Sequence, residues 1–223
     1  MSNSQTHLGV FSLSISGILF VLYPAIRPFS DEKTLQGASA FASNEWLLAH
    51  LLAIFAFTLL PLGIYSIHSS LLRSNLSTLT YWALISCIIG VGLTLPFYGG
   101  ETFGLQAIGQ EAFNQQSADL LSQAEVVRSG TGLILFLVGL LLLALSSILV
   151  AIALWKSYAH MKWSGIPLSI GMLLYIPQFF FNQPIRVAHG FLVAVGCVLL
   201  AVTLWKITKE TTNNKVDQKT MNI

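Results

Sequence analysis

Charged residues are scarce in this chain. Asp, Glu, Lys and Arg make up 9% of its 223 residues, against about 25% in soluble domains, and hydrophobic residues make up 54%. Such a composition excludes an ordinary soluble domain. The net charge of +2 comes without a basic stripe or arm, so the sequence predicts no nucleic-acid partner.

Cysteines and catalytic motifs are few as well. The two cysteines, Cys87 and Cys197, lie inside apolar runs, which predicts buried thiols and no disulfide framework. The sequence holds no HExxH motif, no glycine-rich phosphate loop and no serine with a base at reachable spacing. We therefore favour a protein that is not an enzyme, although the sequence does not decide this question. We also expect no cofactor.

Six long apolar runs occupy most of the chain, at roughly 8–27, 46–67, 80–99, 131–155, 163–182 and 186–206. Each is close to the ~20 residues that a helix needs to cross a hydrocarbon layer of ~30 Å. The first run is too long for a signal peptide and is expected to be retained. The sequence thus predicts an all-α integral membrane bundle of six transmembrane helices within residues 1–210, and a disordered polar cytoplasmic tail over 211–223.

Basic residues predict the orientation of this bundle. With six spans both termini share one side, which carries seven Lys and Arg residues against four on the other side. The positive-inside rule then places both termini in the cytoplasm of a multi-pass protein of the cell membrane. Four tryptophans mark the predicted inner interface, and Trp46 marks the outer one.

The longest predicted outer loop, residues 100–129, mixes apolar and polar side chains. Phe103, Ile108 and Phe113 interleave with Gln106 and Gln110, a pattern typical of an amphipathic helix. The sequence therefore predicts an outer interfacial helix, or a lid over the bundle, after the third span.

Small residues recur at packing intervals within the spans. Gly90 and Thr94 belong to such a stripe in the third span, and Gly132, Gly139 and Ser146 are spaced by sevens in the fourth. Because lipid provides no hydrophobic drive between helices, stripes of this kind let backbones approach closely. We interpret them as helix-packing surfaces.

One group of polar residues forms a candidate site at the outer face. His50 and His189 each lie about one turn into a span, Glu101 closes the third span, and other polar residues flank them. Polar groups within spans are costly and usually face the bundle interior, so they suggest function. The candidate ligand-binding residues are His50, Glu101, Arg186, His189, Tyr98 and Glu45.

Two other interpretations of this group stay open. The histidines and an Arg186–glutamate pair can instead form a structural clamp between helices. A metal or haem held by His50 and His189 is the remaining hypothesis, and a two-haem arrangement would add His68 and His160. Three convergent zinc ligands are absent from the sequence pattern.

Three function classes follow. The first and preferred one is a non-enzymatic membrane protein whose outer polar cluster binds a small ligand, or which binds a membrane-protein partner or a second copy of itself. The second is a small-solute transporter that uses helices kinked at prolines. The third is a haem- or metal-binding redox enzyme that uses His50 and His189.

Overall fold

A computed structural model describes residues 3–157 and 161–221, with side chains for 3–157 and 161–209. Every regular element in these ranges is helical. The α-helices are α1 (Asn3–Ile26), α2 (Leu35–Ala42), α3 (Asn44–Leu71), α4 (Ser77–Gly99), α5 (Leu105–Asn114), α6 (Gln123–Val127), α7 (Gly130–Lys156), α8 (Ile166–Leu173) and α9 (Gln183–Met221). A π-helical segment (Gly100–Gly104) and two 3₁₀ turns (Asp119–Ser122 and Pro177–Phe180) complete the described elements.

Five helical stretches are long and apolar enough to cross a membrane: Asn3–Ile26, Asn44–Leu71, Ser77–Asn114, Gly130–Lys156 and Gln183–Lys209. The all-α class predicted from the sequence is confirmed for the described residues, and these five helices are consistent with the predicted membrane protein. Helix α9 ends at Met221, within the stretch 211–223 where the sequence predicts a disordered tail, and that expectation stays a prediction.

The predicted fifth span, residues 163–182, is not one helix, so six continuous spans are not confirmed. Helix α8 has eight residues, about 12 Å at 1.5 Å per residue, and ends at Leu173. Pro177 has no N–H to donate to the Leu173 carbonyl, which removes one helical hydrogen bond there and disfavours a regular helix. The Tyr175 N–H donates to Met172 O, whereas in an α-helix it would donate to Gly171 O. A 3₁₀ turn follows.

A separate interfacial helix after the third span is not confirmed either. Helix α4 passes through the π-helical segment directly into α5, so Ser77–Asn114 forms one helical stretch. Gly99, Gly100 and Gly104 surround the change of helical pitch. The amphipathic pattern of α5 instead reflects its packing against α2, where Gly109 lies so close that an added Cβ would be 2.5 Å from Phe41 Cβ.

The small-residue stripes are confirmed as packing surfaces. A Cβ added at Gly139 would lie 2.8 Å from Gly90 O and 2.5 Å from Thr94 Oγ1, so α4 and α7 touch backbone to backbone. Ser146 Oγ also donates to Ala83 O at 2.7 Å across this interface. Gly132 is the exception, since an added Cβ there would meet no atom within 4 Å.

Helices α1 and α9 run antiparallel along the bundle. Gly190 of α9 lies against the carbonyl of Phe20 near the end of α1. At the opposite end, the His7 and Trp205 rings lie 5.8 Å apart and Thr6 Oγ1 bonds Thr208 Oγ1 at 3.0 Å. We call the end of the bundle where α1 stops and α3 starts the upper end, and the end that holds His7 the lower end.

The upper end carries a small cap of its own. Helices α2, α5 and α6 with the turn Asp119–Ser122 form this upper cap, and they share a second apolar core. Its buried members are Ala38, Phe41, Trp46, Leu105, Ala112, Leu121 and Ala124. The upper cap holds the loop after α1 and the segment before α7 over the top of the bundle.

Candidate functional site

A chain of alternating charges crosses the upper end. Arg27 Nη2 donates to Glu32 Oε1 at 2.8 Å, and Glu32 Oε2 accepts from Arg128 Nη1. Arg128 also binds Glu101 in a bidentate pair, with Nε–Oε1 at 2.5 Å and Nη2–Oε2 at 3.0 Å. Two arginines and two glutamates thus fasten the ends of α1 and α4 to the residues just before α7.

Glu101 lies at the centre of this chain because of the π-helical segment that holds it. Its side chain is 9% exposed, and its backbone carbonyl accepts from Trp46 Nε1 at 2.7 Å. Thr102 Oγ1 donates to Tyr98 O at 2.5 Å, which satisfies another carbonyl of the widened turn. Single π-turns within α-helices are frequent at functional sites, and this one points a carboxylate at Arg128.

Arg128 is held in its charged form. Burial by itself would lower the pKa of its guanidinium, but the hydrogen bonds and charges of Glu101 and Glu32 outweigh burial and raise that pKa above its ordinary value. The Arg128 side chain is 27% exposed. A fixed positive charge therefore stands at the top of the bundle at every physiological pH.

His50 contacts the same carboxylate from below. Its Nδ1 lies 2.8 Å from Trp46 O; a carbonyl only accepts, so Nδ1 carries the hydrogen. Its Nε2 is 3.6 Å from Glu101 Oε2, and among the described residues it has no hydrogen-bond partner although the side chain is buried. The rings of Tyr23 and Tyr98 enclose it, with centroids 5.4 and 6.4 Å away.

His189 serves the interrupted segment rather than His50. Its Nε2 donates to Gly171 O at 2.7 Å, a carbonyl that Tyr175 N–H leaves free by turning to Met172 O. The His189 ring also lies 5.2 Å from that of Tyr175, and Tyr175 OH bonds Tyr98 OH at 3.0 Å. The two histidines are therefore linked through buried tyrosines and do not share a ligand position.

Arg186 also faces the upper end but not through an ion pair. Its Nε donates to Phe181 O at 2.9 Å and its Nη2 to Phe179 O at 2.6 Å. Its guanidinium lies 5.1 Å from the centroid of Phe29. Within residues 3–157 and 161–209, no Asp or Glu pairs with it, so the expected pair of Arg186 with a glutamate is not seen there.

A cavity of about 650 Å³ lies between these charges and the upper ends of α1, α4, α7 and the turn Pro177–Phe180. That volume is within the 300–1,000 Å³ range typical of small-molecule sites. One part of its wall is charged and another is apolar. The charged lining residues are Arg27, Glu32, Glu101, Arg128 and Arg186, and the apolar ones include Phe97, Leu133, Phe136, Leu137, Ile176 and Phe179.

Four of the six residues predicted from the sequence meet at this site. Tyr98, Glu101 and Arg186 line the cavity, and His50 contacts Glu101. His189 lies one layer further away, behind Tyr175. Glu45 is exposed in the first turn of α3 and forms no ion pair with any residue whose side chain is described.

Arg27, Glu32 and Arg128 were missed by the sequence reasoning. Glu32 and Arg128 lie in predicted loops and Arg27 is the last residue of the first predicted span, and the only available signal was that both arginines lie at or near the ends of apolar runs on the side with fewer basic residues. Tyr23 and Tyr175 were also missed as site residues, since an apolar run shows no sign of which side chains face inward.

Metal ligands do not converge in the described parts of the chain, where no group of three His, Cys, Asp or Glu side chains could hold an ion. His68 Nδ1 bonds Thr80 Oγ1 at 2.9 Å, and His160, the fourth histidine of the two-haem hypothesis, lies outside the described residues. The expected absence of a cofactor stays a prediction.

No family model, curated protein or solved structure matches this chain. Its function is therefore inferred from the charges and the shape of the cavity at the upper end.

Proposed function

We propose that this is a non-enzymatic multi-pass membrane protein that binds a small organic anion in the cavity at its upper end. The observation that carries the proposal is Arg186, a guanidinium that lines the cavity without a carboxylate partner among the described side chains. Backbone carbonyls accept two of its hydrogen bonds, but no described carboxylate balances its charge, and partial burial of a charge costs free energy that an anion would offset. A carboxylate or phosphate on a ligand supplies that anion.

The charge of the cavity wall supports an anion rather than a cation. Three arginines and two glutamates line it, which leaves a formal charge of +1. Arginine presents a planar fork of donors that matches the two oxygens of a carboxylate or phosphate. Two of the Arg186 nitrogens are held by backbone carbonyls, so its fork is oriented before a ligand arrives.

The ion pairs of Glu32 and Glu101 support this role by ordering the wall. Arg27 and Arg128 form ion pairs with these two glutamates. Arg186 therefore remains available to pair with a ligand anion. Buried ion pairs contribute little net stability, because desolvation offsets their attraction. Their presence here is consistent with a role in fixing one geometry of the site. We assign the His50–Glu101–Arg128 contacts to this positioning role.

We further propose that the broken segment 163–182 is a sixth membrane crossing. It lies along α9, with Gly196 against Leu168, Gly171 against Val193, and Arg186 bonded to Phe179 and Phe181. An even number of crossings agrees with the contact between His7 and Trp205 at the lower end. The excess of basic residues then favours cytoplasmic termini in the cell membrane and an upper end that faces outward.

Binding of octanoate to the purified protein tests the anion site. In nanodiscs of zwitterionic lipid we expect saturable binding of radiolabelled octanoate and none of octanamide, its neutral amide. Arg186→Gln should weaken octanoate binding by about 10- to 100-fold, because a hydrogen bond to a charged group contributes about 1.5–3 kcal/mol. Arg73→Gln, which removes an exposed arginine at the lower end, should bind octanoate like the wild type.

The proposal fails if octanoate does not bind, or if Arg186→Gln and Arg73→Gln bind it equally well. Both variants are first checked by gel filtration, so that loss of binding is not loss of the fold.

Transport of the same anion is the second candidate function. The interruption at Pro177 borders the cavity, since Ile176, Phe179 and Phe180 line it, and transporters commonly build their sites at interrupted helices. Proteoliposomes loaded with buffer distinguish the two functions. Because octanoic acid also crosses lipid unaided, only the difference in label between wild type and Arg186→Gln is compared: it grows with time for a transporter and stays constant and stoichiometric for a binding protein.

A further inference from the structure

The apolar half of the cavity points to the class of the anion. Leu133, Phe136 and Leu137 lie on one face of α7 and line the cavity. Leu137 is seven residues after Gly130, which places it about 10 Å below the start of α7 at 1.5 Å per residue. Phe97 of α4, whose ring stacks on that of Phe136 with centroids 4.2 Å apart, and Ile176 also line the cavity. A small hydrophilic anion such as acetate would leave all of this apolar surface uncovered.

The same wall is open on one side. Phe180 lines the cavity and yet is 86% exposed, and the α7 residues beside the cavity, Ile134 and Val138, are 60% and 41% exposed. In a helix that crosses a membrane such side chains face lipid. The cavity therefore borders the hydrocarbon layer next to the turn Pro177–Phe180, where the broken segment departs from a regular helix.

We propose that the ligand is a single-chain anionic lipid, such as a long-chain fatty acid, that enters the cavity from the bilayer beside α7. Its head would pair with Arg186, and its chain would lie against Leu133, Phe136 and Leu137. This inference rests on the anion site proposed above and specifies its ligand. Charge complementarity at the top and an apolar wall below are the arrangement that an amphiphile requires.

The geometry of α7 provides a matched pair of variants. Leu137 is half-buried and lines the cavity, whereas Leu141, one turn further along α7, is 60% exposed and does not line it. Leu137→Trp should fill the place of the chain. Leu141→Trp makes the same change on the surface that faces lipid and is the control.

The test is photolabelling in zwitterionic nanodiscs with palmitate that carries a diazirine in mid-chain. We expect labelling of peptides that contain residues 133–137 or 176–180, at least fivefold reduced by excess octanoate. Leu137→Trp should lose this protected labelling to a similar degree, and Leu141→Trp should keep it. The methyl ester of the probe, which has no charge, should show no labelling that octanoate reduces.

Two failures are distinguishable. If octanoate binds in an Arg186-dependent way but the palmitate probe labels only lipid-facing residues, without protection, the anion site stands and its ligand is a water-soluble anion. If octanoate itself does not bind, the anion site is wrong and this inference falls with it. If Leu137→Trp does not fold, the wild type alone decides the test: reduction of palmitate-probe labelling by octanoate supports the proposal, and its absence overturns it.

Discussion

Glu101 is the residue on which the upper end depends, because it contacts both Arg128 and His50. It forms the bidentate pair with Arg128 and lies 3.6 Å from His50 Nε2. Its own carbonyl holds Trp46, which connects it to the core of the upper cap. Loss of this one carboxylate removes a partner from the buried His50 and from the partly buried Arg128 at once.

Glu101→Gln should therefore destabilise the protein. Breaking a buried ion pair by removing one partner costs about 3–5 kcal/mol, and we expect the lower end of that range because Arg128 keeps Glu32. Glu45→Gln is the matched control, since Glu45 is exposed. Thermal unfolding in detergent, followed by circular dichroism, should show a clear drop in Tm for Glu101→Gln only.

Equal Tm values for the two variants would contradict the claim that the Glu101–Arg128 ion pair stabilises the fold.

The sequence could predict the depth of the site residues but not their partners. His50, Tyr98 and Glu101 were placed together because each lies near the same end of a span. Arg128, the partner of Glu101, is also bound to Glu32 across 96 positions of the chain, and such a pair depends on how two loops fold over the bundle. Glu45 is exposed and does not line the cavity with them, because position along a helix does not reveal which way a side chain points.

At the level of elements, hydropathy predicts how long an apolar segment is, but it does not predict whether that segment forms one continuous helix. Residues 163–182 form a long run without a charged residue, yet the helix ends at Leu173. Pro177 was visible in the sequence as a possible kink. The complete break also depends on His189, whose hydrogen bond to Gly171 O comes from a different helix and satisfies the carbonyl that the break exposes.

The stripes of small residues were predictable because close helix packing requires them at regular spacing. The same spacing also included Gly132, where an added Cβ would meet no atom within 4 Å, because a seven-residue interval does not show where the contact between two helices ends. This difference provides a test within one helix.

Gly139→Ala should destabilise the protein and Gly132→Ala should not. The added Cβ at position 139 would lie 2.5 Å from Thr94 Oγ1 and 2.8 Å from Gly90 O, and such overpacking costs about 1–3 kcal/mol. At position 132 the added Cβ has free space, and alanine favours a helix over glycine. Thermal unfolding of both variants measures the difference, and a larger loss for Gly132→Ala would contradict the α4–α7 packing.

On the scale of the whole molecule, the arrangement has two distinct ends. The upper end carries the cap, the ion pairs and the cavity, while the lower end brings the start of α1 beside α9. The basic residues counted along the sequence predicted a charge difference between the two sides of the membrane. They could not predict the cavity, because a cavity arises from side chains of four separate segments.

Cysteine accessibility tests the proposed six crossings. Single cysteines are introduced into a variant without its native cysteines, one at a time, at four exposed positions: Asn3, Asn75, Asn114 and Lys209. Intact cells are then treated with a membrane-impermeant maleimide. We expect labelling at 114 alone, and labelling at 3, 75 and 209 only after permeabilisation. Opposite accessibility of positions 3 and 209 would mean an odd number of crossings and would overturn this topology.

The most direct test of the account is to identify what the protein carries when it is purified. Mass spectrometry of small molecules released from protein extracted in mild detergent should detect a stoichiometric organic anion in the wild type and in Arg73→Gln. That anion should be strongly reduced in Arg186→Gln. Its absence from the wild type, or equal amounts in all three proteins, would contradict an anion site at Arg186.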